Sequence, residues 1–218
     1  MIIHGQVVKS TDTEVFIRAP LSSYLVDKRR IDTVEIIVAD GRRISPDQRK
    51  KIYATFADIS NYTGHTTEEL KSIMKTLYIA NTGEKWFSLS DVDMTTASDF
   101  LQYIIDFCLE NGIPTKDSYL DRSPDISRFL YMSLATRTCA LCSKKAEVHH
   151  SGEDRVGMGR NRLKISHLGL QAVALCAEHH RLGKGAIHNI PEAEFYDMHH
   201  IYPIRLDEHL CKQLGLKI

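Results

Sequence analysis

No run of this sequence approaches the roughly 20 consecutive apolar residues that a helix needs to cross a bilayer. Its start, Met1-Ile2-Ile3-His4-Gly5, lacks the basic region and long apolar stretch of a secretory leader. Cysteine is sparse, five in 218 residues, and its spacing does not resemble a secreted disulfide framework. A soluble protein of the reducing cytoplasm is therefore expected, with no membrane partner. Tryptophan occurs once, and no internal repeat or low-complexity tract is visible. Net charge is missing too: 28 Lys and Arg balance 28 Asp and Glu, so the bulk charge alone predicts no polyanionic partner. What is present is ordinary core material, 43% hydrophobic, which argues against disorder.

Charge is distributed less evenly than its sum suggests. Residues 137–184 carry nine Lys or Arg against four Asp or Glu, so this segment is basic and the remainder acidic. A basic module on an acidic body fits an end that faces nucleic acid.

The organisation along the chain reads as α+β. Residues 6–9, 14–18 and 33–38 are rich in Val, Ile and Phe between polar turns, the pattern of short strands. The period then becomes helical. Ser45-Pro46-Asp47-Gln48 is a capping box with proline at the first helical position, followed by Ile52, Phe56 and Ile59 on one face. A second box, Thr66 to Glu69, opens a helix whose Leu70, Ile73, Met74 and Leu77 form an apolar stripe. A third helix carries Ala97, Phe100, Leu101, Ile104, Ile105 and Cys108 and stops at Gly112-Ile113-Pro114. Residues 115–122 read as a polar link, and Ser123-Pro124-Asp125 caps a short helix beyond it. The expected domains are 1–120, an α+β body able to bind DNA, and 121–218, a metal module.

The metal module rests on order and spacing. Cys139-Ala-Leu-Cys142 is followed by His149-His150 and then by Cys176-Ala-Glu-His179-His180. Two such hooks, Cys139 with Cys142 and Cys176 with His179, can close one tetrahedral structural Zn2+ site. His149, His150 and His180 exceed that need. On a strand, His149 and His150 point to opposite faces, so one can bind a metal while the other meets substrate. This division suits metal-assisted phosphodiester hydrolysis, with one imidazole fixing a cation and an uncoordinated one taking a proton from water. His180 is the helix-borne ligand candidate, and His188 could add a third. In the insert between the histidine pair and the second hook, Arg155, Arg160, Arg162 and Lys164 stand among glycines and suit phosphate contacts. His4, His199 and His200 have no cluster around them and read as surface or core histidines.

These residues resemble the HNH endonucleases of the ββα-metal type, especially the HNH nucleases encoded in recombination regions of tailed phages, over residues 137–206. The resemblance implies His149 as a catalytic-metal ligand, His150 as general base and His180 as the second ligand. It implies Cys139, Cys142, Cys176 and His179 as the structural zinc set, with a catalytic divalent cation (Mg2+, Mn2+, Ni2+ or Zn2+) held by His149 and His180, to which His188 could add a third ligand. Two departures stand out. Lys184 occupies the position where the family often places its final histidine, and the middle Asn has no obvious counterpart, with His167 and Gln171 as the contenders. The Ser45–Gln48 helix start resembles the recombination-mediator proteins of lambdoid phages, which implies a body for single-stranded or branched DNA. The expected whole is a DNA endonuclease of phage recombination or processing, in a bacterial host cell, with a homodimer left open. The rival is a non-catalytic zinc-dependent DNA-binding module, which would have no use for the extra histidines. A redox enzyme built on Cys139 and Cys142 is the third reading, and no thioredoxin-like βαβ pattern surrounds the pair.

Overall fold

The computed structural model of the chain describes residues 5–20, 22–24, 28, 41–152, 156 and 165–218. Contacts divide the chain into two compact units, Met1–Asp40 and Gly41–Ile218. In the first, β1 (Gln6–Ser10) and β2 (Val15–Arg18) pair antiparallel, with a register shift between Val7 and Lys9. The turn closes by Thr11 N–H donating to the Glu14 carbonyl at 2.8 Å. The strand expected at 33–38 lies outside the described residues.

The second unit begins with the helices that the capping boxes start. In α1 (Pro46–Thr63), Ser45 Oγ accepts from the Gln48 N–H at 3.1 Å while Gln48 Oε1 accepts from the Ser45 N–H at 2.9 Å. The helix ends at Gly64, whose φ of 81° a side chain would resist. α2 (Thr67–Thr82) has the same box between Thr66 and Glu69, and α3 (Met94–Glu110) is capped by Asp93. Phe56, Tyr78, Phe87 and Phe100 meet edge to face at centroid distances of 5.2–6.2 Å and bind the three helices together.

Two sequence readings need correction here. The buried face of α2 is Leu70, Met74, Lys75 and Tyr78, whereas Ile73 and Leu77 are about two-fifths exposed, at 43% and 40%. The face turns because Tyr78 joins the aromatic cluster and Lys75 lays its stem inside, its ammonium 4.1 Å from the centre of the Trp86 ring. The second concerns the supposed polar link, which contains α4 (Tyr119–Arg122) with Tyr119 and Arg122 buried. Arg122 is held by Asp58 at 2.6 Å and Asp117 at 3.0 Å, a pairing that pulls the segment against α1.

α5 (Ile126–Ala135), capped by Asp125, packs on α3 and on the central strand of a second sheet. That sheet has the order β3 (Glu147–His150), β4 (Gln171–Leu175), β5 (Ile204–Arg205), all antiparallel. After β4 comes a five-residue π-helical turn, Glu178–Leu182, where the sequence predicted a helix start. α6 (Glu192–His199) and α7 (Glu208–Leu214) complete the unit. One buried cluster runs from Ile44 to Leu214, so the helices before residue 120 and the sheet after it share a core. The expected boundary between 120 and 121 falls inside this unit. Cys108 and Cys211 are both buried in it, and burial pushes the Cys108 thiol up to about 12. Among the described residues, no helix is long and apolar enough to cross a membrane.

Candidate metal centres

The first hook sits on a tight knuckle between α5 and β3. Cys139 N–H donates to the Lys144 carbonyl at 2.7 Å, Ser143 N–H returns to the Cys139 carbonyl at 3.1 Å, and Thr138 pairs with Lys145. Ala140 N–H donates to the Ala174 carbonyl at 3.0 Å, which fastens the knuckle to β4. β4 then delivers Cys176 and the π-helical turn delivers His179. The four donor atoms lie within 4.8 Å of one another. His179 Nδ1 is 3.5 Å from Cys139 Sγ and 3.3 Å from Cys176 Sγ, and Cys142 Sγ is 3.5 Å from Cys176 Sγ. A tetrahedral zinc with its usual bond lengths has donor–donor edges of about 3.5–3.8 Å, so the set fits one. Burial pushes the Cys139 thiol up to about 12 and holds His179 below the ordinary imidazole range. A cation would make buried thiolates tolerable there. The cluster could hold a structural metal.

A second cluster forms from His149, His180 and His188, whose donor atoms also lie within 4.8 Å of one another. His180 Nε2 is 3.1 Å from His149 Nδ1 and 3.1 Å from His188 Nε2. His149 and His180 each give their other nitrogen to a carboxylate. His180 Nδ1 meets Glu147 Oε2 at 2.8 Å, and His149 Nε2 meets Glu192 Oε1 at 3.4 Å. Rings that donate their N–H to these carboxylates would turn the lone pairs of His149 Nδ1 and His180 Nε2 toward each other. Three imidazole nitrogens at this spacing suit a divalent metal of the zinc or nickel kind. Burial, with His180 adding to it, lowers His149 to about 4, so this ring is neutral near pH 7 as a ligand must be.

His179 and His180 are adjacent yet belong to different clusters, and the local backbone explains how. Gly183 N–H bonds to the Glu178 carbonyl at 2.9 Å, the wide loop of a π-turn, a form often found at functional sites. The chain beyond folds back on this turn. Ile187 N–H donates to the His179 carbonyl at 2.9 Å and His188 N–H to the His180 carbonyl at 3.3 Å. Asn189 Nδ2 reaches the carbonyls of Arg181 and Gly183 at 3.1 and 2.7 Å. This return brings in His188, eight residues beyond His180, while Lys184 is exposed on the way.

His150 points away from this cluster. Its Nε2 lies 2.9 Å from Nδ1 of His167, a residue only 2% exposed whose own N–H donates to the Lys217 carbonyl at 2.8 Å. A cleft of about 780 Å³ runs past both histidine groups, lined by Glu147, His150, His167, His180 and His188 with Arg137, Arg181 and Lys217. Because β3 ends the sheet order, residues from both of its faces reach that space.

Of the two middle-position contenders, His167 reaches His150. Gln171 starts β4, where its carbonyl accepts the Ser151 N–H at 2.9 Å. Arg155, Arg160, Arg162 and Lys164, named for DNA contact, lie outside the described residues, as does His4. His199 packs its ring on Phe195 with a centroid distance of 4.7 Å, and His200 is exposed. Sequence reasoning missed Glu147 and Glu192. Glu147 was legible, since it stands two residues before His149 on one strand and therefore shares its face. Glu192 was not, since it arrives from a helix 43 residues away.

A family model described as "Putative HNHc nuclease" matches residues 19–217. No curated protein and no solved structure matches the chain.

Proposed function

Because the chain belongs to the HNHc nuclease family, we propose that it is a metal-dependent DNA endonuclease in which His149, His180 and His188 hold the catalytic cation and His150 is the general base. In this reading His150 takes a proton from a water molecule in the cleft. The water oxygen attacks phosphorus in line, the opposite P–O bond breaks, and the leaving 3′-oxygen takes a proton from solvent, giving a 5′-phosphate and a 3′-hydroxyl. The cation, when bound, supplies stabilisation of the charge that develops on the leaving oxygen. His149 and His180 orient it through nitrogens that their carboxylates keep unprotonated. Cys139, Cys142, Cys176 and His179 hold structural zinc, and Arg137, Arg181 and Lys217 give the cleft the cations that phosphates require. The helices before residue 120 serve as the body that carries this module. Branched or single-stranded DNA of phage recombination is the substrate we favour, from the likeness of the Ser45–Gln48 helix start.

The observation that carries the proposal is the convergence of His149, His180 and His188 beside a zinc-type cluster that has no need of them. The test is metal counting with cleavage assays on duplex, single-stranded and branched DNA, in magnesium, manganese, nickel or zinc. Two cations per chain and cleavage in at least one condition are expected. One zinc per chain and no cleavage of any substrate would leave a zinc-dependent DNA-binding module instead.

A further inference from the structure

Two carboxylates flank the histidine cluster, and neither is a ligand in it. Glu147 opens β3 and reaches two consecutive residues of the π-turn, His180 through Oε2 at 2.8 Å and Arg181 through Oε1 at 2.7 Å. Glu192 stands in the first turn of α6 and is itself held in place. It accepts the Gly152 N–H at 3.1 Å on each oxygen and the Tyr196 hydroxyl at 3.3 Å, besides His149 at 3.4 Å. The two glutamates thus grip the cluster from opposite sequence directions, one from the strand and one from the helix beyond.

Resting on the reading of His149, His180 and His188 as cation ligands, we infer that Glu147 and Glu192 are the positioning residues of that site. Each fixes the tautomer of one imidazole. A neutral imidazole carries one N–H; when a carboxylate claims it, the lone pair must sit on the other nitrogen. Glu147 puts the His180 lone pair on Nε2, and Glu192 puts the His149 lone pair on Nδ1, the two atoms that face each other at 3.1 Å. The negative partner also makes each ring a stronger electron donor. Glu147 does a second thing. Its bond to Arg181 places a guanidinium of the cleft beside a ligand of the site.

The experiment is calorimetric titration of the zinc-loaded full-length chain with Ni2+ alone, without DNA. Wild type takes up one Ni2+ per chain beyond its zinc, and His180→Ala takes up none. Glu147→Ala and Glu192→Ala bind Ni2+ ten- to a hundredfold more weakly while retaining one zinc each. Glu147→Gln and Glu192→Gln, which keep an oxygen acceptor for the ring N–H, recover part of that loss. Alanine variants with wild-type Ni2+ affinity overturn the inference, and so do glutamine variants no tighter than alanine, since space rather than the hydrogen bond would then matter. A wild-type chain that takes up no Ni2+ at all overturns the ligand assignment itself, which is a separate and recognisable outcome. Should Glu192→Ala lose its zinc through the Gly152 and Tyr196 contacts, Glu192→Gln alone decides for that residue against wild type.

Discussion

The two donor clusters take consecutive residues, His179 and His180, from one turn and are built for opposite ends. The cysteine cluster is closed: four protein donors are enough for a tetrahedron, two short hooks supply them, and the knuckle is fastened to β4 by the Ala140–Ala174 hydrogen bond. The histidine cluster offers three donors, stands at a cleft, and has a carboxylate behind two of its rings. A closed site cross-links chain segments. A three-donor site at a cleft leaves room for substrate oxygen. The difference lies less in residue type than in what surrounds each donor.

That contrast is most easily broken at the closed cluster, where the largest effect is expected. Zinc binding in small peptides is worth about 10–16 kcal/mol, comparable to the whole stability of a domain. Stripping zinc by a strong chelator, or Cys176→Ser, should therefore unfold the knuckle, the sheet and the π-turn. Because Cys139, Cys176 and the β4 residues belong to the same buried cluster as Phe56 and Phe100, the helices should loosen too. Circular dichroism and thermal melting with and without chelator measure this; an unchanged melt would remove the closed cluster's structural role. A smaller and more selective effect is expected at the open cluster. His180→Ala should lose one cation and all cleavage while keeping zinc and the melting transition, with mass spectrometry of the native chain counting the metals. Loss of both cations together would show that the clusters are one unit.

The grouping of the closed cluster was legible in the sequence because two hooks, each with its donors three positions apart, name their own partners. The open one was legible in part. The alternation along β3 separates His149 from His150 from sequence alone, and the structure turns one to His180 and the other to His167. His188 could be suspected only as the next histidine available, since its approach depends on the chain folding back through Asn189 and Ile187. Glu192 gave no local signal. In the helical part, α1–α3 were marked by their caps, but the stripe on α2 was misplaced because a lysine stem and a tyrosine displaced two aliphatic residues from the core. The link at 115–122 looked polar because the composition of a segment does not reveal that Arg122 will be buried between two aspartates.

A middle-sized effect should separate chemistry from binding beside the open cluster. His150 touches His167 and belongs to neither donor set, so His150→Ala should lower cleavage about 10²–10⁴-fold, the usual contribution of a positioned base. Both cations and DNA affinity should stay as in wild type. Cleavage kinetics beside a filter-binding or anisotropy titration read the two apart; a variant that cuts normally would return the base role to another group.

The smallest effect concerns the turn that lets one segment serve both clusters. Gly183 is needed there for space, since its φ of −70° is open to any residue. A Cβ added at 183 would lie 2.8 Å from the Glu178 carbonyl oxygen, the same atom that accepts the Gly183 N–H and closes the π-turn. The turn must then widen by a few tenths of an ångström, at a cost of about 1–3 kcal/mol for overpacking of this kind. The displacement should fall unequally. His179 is one of four donors in a closed set, which a bound cation would hold in place, whereas His180 is one of three. Gly183→Ala should therefore keep its zinc, melt slightly lower than wild type, and bind Ni2+ several-fold more weakly at the histidine cluster. If zinc and Ni2+ affinities fall in equal proportion, the turn is a common support and the two centres are not separately tuned.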